Sequence, residues 1–420
     1  MTLADLSARL KTILLSPLLP VWAVIALLPF GRSAEVAVAF AIIGVLALLL
    51  RQPKAMKTHP GARLLLWLWA AYEVAAIFST PDAVDPGKSW GTVLVAPRFV
   101  LLGLYICFAM RRNGALQYVY KATALVVAVW LIDAWVQALT GWSLGGAPES
   151  ERISGIFGAD NLKLGPALAA LSPFVLHAAR ARWGWRGLGA AFLALLGPIL
   201  LAGSRASWLA YGLVCIACVW REARTPLRFV AWTGIAAILG VLGLLFAWRG
   251  SDAFHARMER TLHALQGSSQ SVDFALAGRL SIWNTASAMI AAHPINGVGV
   301  RGFRYAYAQY ATPGDPFVQA DGSGAAHAHQ WVLEVLTETG ALGLALWLLA
   351  LAMALRAWRR APAAARERAW PAATALLATF FPLNTHLAFY SAWWGLLVWW
   401  LISLYCAALY ADLDEVRDAR

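Results

Sequence analysis

Charged residues are scarce in this sequence. They make up 13% of its 420 residues, whereas hydrophobic residues make up 60%. Soluble domains carry about 25% charged residues, so the deficit excludes a soluble globular core. Apolar runs of membrane-spanning length recur along the chain, whereas the alternating strands of about ten residues that build a membrane barrel are lacking. The composition therefore predicts an all-α polytopic membrane protein.

Several catalytic signatures are missing as well. The sequence contains no GxxxxGKS/T phosphate loop, no GxSxG nucleophile elbow and no HExxH metal motif. His327 and His329 have only Asp315 and Asp321 as nearby carboxylates, too few ligands for a metal site. We therefore expect no metal and no cofactor. The cysteines lie inside apolar runs and are expected to be membrane-helix residues, not a disulfide set: Cys107, Cys215, Cys218 and Cys406.

The net charge of +12 reflects basic residues in the short loops between apolar runs. Most of them fall in alternate loops, including 51–63 and 111–121. Cytoplasmic loops of membrane proteins carry the excess of Lys and Arg. Both termini are therefore predicted in the cytoplasm, and the 249–330 segment on the outer face, which is the periplasm in a Gram-negative cell. With the basic residues explained in this way, no nucleic-acid partner is expected.

Twelve membrane spans are predicted from the apolar runs. They divide the chain into nine spans over residues 1–248, a large outer loop over 249–330, and three spans with a cytoplasmic tail over 331–420. Asp133 is the clearest acid in the middle of a span, and we expect it to pair with a neighbouring helix. The spans lie near residues 12–30, 34–50, 64–79, 92–110, 118–139, 162–178, 188–203, 207–220, 229–248, 331–357, 369–386 and 389–410.

The outer loop interrupts the pattern of apolar spans. A chain made mostly of spans has little reason to contain such a large loop unless the loop has a function. Two surface helices are predicted within it, over 251–267 and 274–292. The second is expected to end at HPINGVG, where Pro294, Gly297 and Gly299 break it. The basic residues of the loop are the first candidates for chemistry: Arg257, Arg260, Arg279, Arg301, Arg304, His327 and His329.

Two arginines stand where helices are predicted to begin. Arg205 follows Gly203 and Ser204 in LLAGSRASW, between two spans. It is either an interfacial anchor or an anion ligand, and the two small residues favour the ligand because they let the backbone approach a phosphate. Arg279 is either a solvated residue or part of the site. It stands in the first turn of the second loop helix, whose apolar face is predicted at Leu280, Trp283, Ala286 and Ile290.

The residues after the helix break offer further anion ligands and a base. Arg301 and Arg304 follow GVGV, where they either clamp a diphosphate or hold the loop against acidic head groups. His327 and His329 come directly before the span that begins at Trp331. The positive end of a helix dipole lowers the pKa of a nearby histidine and keeps it able to accept a proton. His329 is nearer to the helix start, and we predict it as the general base.

Four segments resemble the O-antigen ligase family, whose relatives include O-antigen polymerases and protein O-oligosaccharyltransferases. Their order, spacing and placement beside spans carry the resemblance. One departure is Gln330, which stands where the family often has Asn after the histidine; an amide is kept, so the departure bears on fine positioning. The segments are RISGIFGADNLKLGPALA (152–169), GSRASWLA (203–210), GRLSIWNTASAMIAAHPINGVGVRGF (278–303) and HAHQWVLEVLTETGALGL (327–344).

The resemblance implies a metal-independent GT-C-type glycosyltransferase in the bacterial inner membrane, surrounded by its lipids. Its donor would be an undecaprenyl-diphosphate-linked O-antigen and its acceptor a sugar hydroxyl of lipid A–core. The implied catalytic residues are His329 as the base, with Arg205 and Arg279 neutralising the diphosphate that leaves in an inverting displacement. The implied substrate-binding residues are Arg301, Arg304, Arg152, His327 and Asn161.

Other functions stay open at this point. An O-antigen polymerase would use a second lipid-linked glycan as acceptor, and a protein O-oligosaccharyltransferase would use a protein such as pilin. The GADN stretch and the HAHQ block favour the ligase. A transporter for the same lipid-linked glycan would line a path through both leaflets with charges, whereas the candidate groups here crowd one face. A non-enzymatic scaffold would not need paired histidines beside arginines.

Overall fold

The structure is a computed structural model that describes residues 16–54, 58–147, 152–159, 161–223, 225–250, 255, 258–259 and 278–411. Within these ranges it consists of helices and loops, without strands. The described α-helices are Leu19–Leu27 (α1), Ala34–Arg51 (α2), Pro60–Ser79 (α3), Pro86–Val95 (α4), Pro97–Ala109 (α5), Ala115–Thr140 (α6), Leu164–Leu201 (α7), Arg205–Glu222 (α8), Pro226–Gly250 (α9), Arg279–Ala292 (α10), Phe303–Tyr310 (α11), Trp331–Arg360 (α12), Ala363–Thr379 (α13) and Ala392–Tyr410 (α14).

Eight helices among the described residues are long and apolar enough to cross a membrane. They are α2, α3, the pair α4 and α5 taken together, α6, α7, α9, α12 and α14. The protein is thus a multi-pass membrane protein. The predicted number of twelve spans is not reproduced by this criterion. The first predicted span, 12–30, begins outside the described residues, and the predicted surface helix at 251–267 lies almost wholly outside them.

The helix α7 contains two of the predicted spans and folds back on itself at Gly184. This glycine has φ 63° and ψ −145°, a conformation outside the helical region. A Cβ atom built on Gly165 lies 3.1 Å from the Cβ atom of Ala202, whereas a straight helix would separate these residues by about 55 Å. The two halves of α7 therefore form a hairpin, as the predicted spans 162–178 and 188–203 require.

The helix α12 also reverses, so that the span predicted over 331–357 is not one straight helix. Gly340 has φ 66° and ψ −166°, a region that is almost restricted to glycine. The rings of Trp331 and Trp347 lie 4.3 Å apart, whereas a straight helix would separate these residues by about 24 Å. Because of this reversal, the residues just before Trp331 lie close to Trp347, between the membrane helices.

The predicted span 369–386 is wrong at its end. The helix α13 stops at Thr379, and residues 380–391 form an irregular connection to α14. The Asn384 amide donates to the Thr379 carbonyl oxygen at 2.8 Å, which satisfies one of the carbonyl groups left open at the helix end. Pro382 lies in the same connection and cannot supply a helical N–H group.

A small outer layer covers this bundle. The helix α10 ends at Ala292, before Pro294, as predicted, but it starts at Arg279 after Gly278 and not at residue 274. Its predicted apolar face is wrong, since only Ala286 is shared with the buried face that the structure has. The buried residues of α10 are Ile282, Thr285, Ala286 and Met289, and they pack against α11 and the residues that precede α12.

The buried polar residues of α6 hold the loop that follows this helix. The side-chain oxygen of Gln137, Oε1, accepts from the backbone amides of Ser154 and Gly155 at 2.8 and 2.7 Å. Asp133 accepts from the Leu144 amide at 2.8 Å. The expectation that Asp133 pairs with a neighbouring helix is therefore wrong, because its carboxylate binds a loop. Together the two side chains fix the segment that carries Arg152.

Candidate active site

Three predicted arginines lie at one end of the bundle. Arg205 is the first residue of α8, where Ser204 caps the helix by accepting from the Ser207 amide at 3.2 Å. Arg279 is the first residue of α10, and Arg152 lies in the loop that Gln137 holds. Helix starts carry the positive end of the helix dipole. Two helix starts and three guanidinium groups are thus gathered at one place.

The charges of Arg152 and Arg205 both act on the guanidinium group of Arg279. Burial, followed by the charges of Arg205 and Arg152, lowers the pKa of Arg279 to about 10. Like charges brought together in a partly buried place destabilise one another. Such an arrangement is stabilised when an anion binds, and guanidinium groups fit the paired oxygens of a phosphate. The three guanidinium groups of this arginine cluster therefore have the charge and the hydrogen-bonding geometry that suit an anion.

His329 lies beside this cluster with one ring nitrogen engaged. Its Nδ1 is 3.1 Å from the Thr385 carbonyl oxygen. A carbonyl oxygen only accepts hydrogen bonds, so Nδ1 carries the proton and Nε2 of the neutral ring keeps a lone pair. Burial first, and then the charge of Arg279, lowers the pKa of His329. The ring is therefore neutral at pH 7 and able to take a proton.

The direction of this pKa shift agrees with the sequence prediction, but its cause differs. The prediction invoked the dipole of the following helix, whereas burial and Arg279 lower the pKa in the structure. The N-cap of α12 is Gln330, whose side chain accepts from the Leu333 amide at 2.6 Å and donates to the Pro382 carbonyl oxygen at 3.3 Å. Gln330, which stands where the family often has Asn, thus joins the start of α12 to the 380–391 connection.

His327 contacts both the backbone and the ring of His329. Its Nδ1 accepts from the His329 backbone amide at 3.2 Å, and the two rings lie 4.0 Å apart. Burial, followed by the charges of His329 and Arg301, lowers the pKa of His327 well below its ordinary value. Its contact with Glu334, 3.7 Å from Nδ1 to the carboxylate, is therefore not a charged pair. His327 positions His329, since its ring accepts the amide of that residue.

A third histidine, His386, was missed by the sequence analysis. It lies in the 380–391 connection, next to the Thr385 carbonyl group that holds His329. Burial and the charge of Arg279 lower the pKa of His386 to about 3, with smaller effects from His329 and Arg152. The sequence analysis placed His386 inside a span, and the signal that it overlooked was Pro382 followed by Asn384.

The remaining predicted residues lie elsewhere. Arg301 lies near the buried carboxylates Glu334 and Glu338, and its charge acts on both. Arg304 is exposed and acts on the exposed Asp321, so the structure does not bring it to the arginine cluster. Asn161 bonds within its own loop, donating to the Phe157 carbonyl oxygen at 3.1 Å.

An apolar cavity begins next to the histidines and runs down between the membrane helices. It has a volume of about 670 Å³ and lies between α3, α12, α13 and α14. Trp331, two residues after His329, lines its upper end, and Trp358 and Tyr405 line the lower end. Other lining residues are Trp347, Phe380, Phe389 and Trp399. The cavity therefore joins the charged site to an apolar volume of the bundle.

The site combines three properties. The arginine cluster carries positive charge, the Nε2 atom of the neutral His329 has a lone pair, and the cavity is lined by apolar side chains. A group of three or more metal-binding side chains does not occur among the described residues. The arrangement suits a lipid-linked phosphate whose transfer needs a deprotonated nucleophile.

One comparison with known proteins gives a match. Residues 189–348 match the family model described as O-antigen ligase. In the comparison with curated proteins the chain matches none. The match begins in the second half of α7 and includes Arg205, Arg279 and His329. It confirms the resemblance drawn from the sequence motifs, whereas Arg152 and His386 lie outside it.

Proposed function

We propose that the protein transfers a polysaccharide from undecaprenyl diphosphate to a sugar hydroxyl of lipid A–core, because residues 189–348 match the family model described as O-antigen ligase. The reaction takes place at the periplasmic face of the inner membrane, and the helices form a GT-C-type scaffold. The observation that carries the proposal is the free Nε2 atom of a neutral His329 beside three arginines.

The diphosphate binds to the arginine cluster. The donor carries its charge on two phosphates, and the bond that breaks leaves further negative charge on the diphosphate. Arg152, Arg205 and Arg279 neutralise this charge as it develops, which is the work a metal ion performs in many phosphate-releasing enzymes. The polyprenyl chain extends into the apolar cavity between α12 and α14, whose upper end adjoins the histidines.

His329 activates the acceptor. Its Nε2 atom takes the proton of the sugar hydroxyl, the oxygen attacks the anomeric carbon, and the diphosphate leaves from the opposite side with inversion. The Thr385 carbonyl group holds Nδ1–H and so fixes the tautomer. General-base catalysis contributes about 10²- to 10⁴-fold to such a step.

The test uses purified protein in detergent, without ATP and with EDTA. The donor is an undecaprenyl-diphosphate-linked glycan, and lipid A–core, a second lipid-linked glycan or pilin is offered in separate reactions. A ladder on lipid A–core that is lost in His329→Ala is the expected result. Loss of the ladder in EDTA, with rescue by added metal, would contradict the metal-independent step.

The other acceptors separate the rival functions. Lengthening of the lipid-linked glycan would make the protein an O-antigen polymerase, and glycan on pilin would make it a protein O-oligosaccharyltransferase. Binding of the donor without transfer to any acceptor would instead favour a transporter. The ligase is preferred because the GADN and HAHQ segments favour it and the charged groups gather at one end of the bundle.

A further inference from the structure

The residues from Val298 to Arg301 form a tightly held turn. Four successive amides of this segment, from Val298 to Arg301, donate to groups outside it. The first two donate to the Thr337 and Glu338 carbonyl oxygens at 2.8 and 3.1 Å. The third, from Val300, donates to Ser79 Oγ at 3.1 Å. Such complete pairing leaves the segment little freedom.

The fourth amide is bonded by a side chain. The Arg301 N–H group donates to Glu338 Oε2 at 2.7 Å. Glu338 is only 1% exposed, and the charge of Arg301 also acts on this carboxylate. A buried backbone N–H group is costly to leave without an acceptor, and here a buried carboxyl oxygen supplies it. Glu338 is thus the side chain that accepts the last of the four amides.

Arg301 is held in a conformation that its residue type disfavours. Its φ is 63°, in the left-handed region that suits glycine. Gly299 just before it has φ 95°, and a Cβ atom there would lie 2.3 Å from the Cβ atom of Ala83. Non-glycine residues keep such conformations only where their surroundings over-determine them, and they cluster at functional sites.

We propose that Glu338 is a positioning residue that acts through Arg301, holding its backbone in the left-handed conformation so that the guanidinium group reaches the substrate beside His327. This inference rests on the proposed function, because Arg301 matters only if a substrate binds there. Glu338 itself touches no substrate. Its first role is to accept the Arg301 amide, which glutamine at this position can also do.

The first measurement is hydrogen exchange of the intact protein in detergent, read from the peptide that contains Arg301. Exchange should rise in Glu338→Ala, because the amide loses its acceptor, and stay near that of the wild type in Glu338→Gln. Glu73→Ala is the matched control, since Glu73 is also a buried glutamate of a membrane helix. Unchanged exchange in Glu338→Ala, or an equal rise in Glu73→Ala, would overturn the proposal.

The second measurement is a double-mutant cycle on glycan transfer. Glu338→Ala should lower kcat/KM about 10- to 100-fold. Arg301→Gly keeps the left-handed backbone without a side chain, and in that background the added Glu338→Ala should change kcat/KM by no more than roughly twofold. Both single variants should move the same kinetic parameter, KM for the donor or kcat, and Glu338→Gln should restore it.

If the losses in kcat/KM of the two single variants multiply in the double variant, Glu338 does not act through Arg301. This outcome would refute the proposal even if each single variant were impaired. The two measurements also separate this inference from the proposed function. If the wild-type protein transfers no glycan but the exchange pattern is as expected, the ligase proposal fails and the role of Glu338 in holding Arg301 stands. If transfer occurs and the exchange pattern is absent, the inference fails alone.

Discussion

At the scale of single residues, the site depends on two strained backbones. Arg301 and His329 are the only described residues other than glycine with positive φ, at 63° and 51°. Each such residue costs about 1–3 kcal/mol, and both backbones are bonded to side chains, Arg301 to the buried Glu338 and His329 to the partly buried His327. The cost is therefore concentrated at a proposed ligand and the proposed base.

The pH dependence of transfer follows from the pKa of His329. Burial and Arg279 lower this pKa, so the ring stays unprotonated as the pH falls through about 6.5, the ordinary value for histidine. Activity is lost only when the pH falls below the lowered pKa. The acid limb of kcat/KM for the donor is thus expected below pH 6.5. A limb at or above this value, with the protein still folded, would contradict the assignment.

The shape of the cation at Arg279 should matter as well as its charge. Lysine offers a compact charge and cannot bind two phosphate oxygens with a planar fork. Arg279→Lys is expected to lower kcat/KM for transfer by about 10²-fold, with folding intact by thermal unfolding. Arg186→Lys, at an exposed position in the turn of α7, is the control. Full activity of Arg279→Lys would mean that charge alone suffices.

At the scale of helices, the position of the site depends on glycines that interrupt long helices. Gly340 reverses α12, and the amides of Ala341 and Leu342 bond to the Pro294 and Ile295 carbonyl oxygens at 2.8 and 3.1 Å. The turn thus joins α12 to the end of α10. It also brings the segment before Trp331 between the membrane helices, so that His329 reaches the Thr385 carbonyl group.

Gly340→Ala is expected to disrupt this turn. A Cβ atom there would lie 2.1 Å from the Ile295 carbonyl oxygen, and alanine also disfavours φ 66°. We expect loss of transfer and a clear fall in thermal stability in detergent. Gly234→Ala in α9 is the matched control, because its Cβ atom would meet nothing within 4 Å. Equal stability of the two variants would contradict the proposed strain.

The sequence predicted some of these elements and missed others for physical reasons. The end of α10 before Pro294 follows from local backbone chemistry, because proline ends a helix. The start was predicted at residue 274, whereas Gly278 with φ 76° makes the helix begin at Arg279. The reversal at Gly340 does not follow from such local chemistry, because glycine inside an apolar run is compatible with a straight helix. His386 was hidden in the same way, since an apolar run of the right length favours a span even where Pro382 interrupts it.

At the scale of the whole molecule, the charges gather at one end of a bundle whose outer surface is apolar. None of the most apolar window of α9 is buried within the chain, as expected for a helix that faces lipid. The centre of the bundle is α14, of whose window 83% is buried. The proposed orientation places the arginines and histidines at the periplasmic end.

This orientation can be tested by labelling single cysteines in a background without the four native ones. Ala320 and Ala364 are both exposed, the first in the outer loop and the second at the start of α13. With an intact inner membrane, a maleimide that cannot cross it should label Ala320→Cys but not Ala364→Cys. After lysis both should react. The opposite pattern would invert the topology and place the site in the cytoplasm.

The sequence by itself determined the membrane class, the family resemblance and most of the residues that meet in the site. These properties follow from composition, from apolar run length and from short motifs, all of which are local. Only the tertiary structure decided that Arg152, Arg205 and Arg279 lie together, that Arg304 lies apart, and that His386 joins them. Those placements depend on where α7 and α12 reverse and on which loops Gln137 and Thr385 hold, and such contacts join residues far apart in the chain.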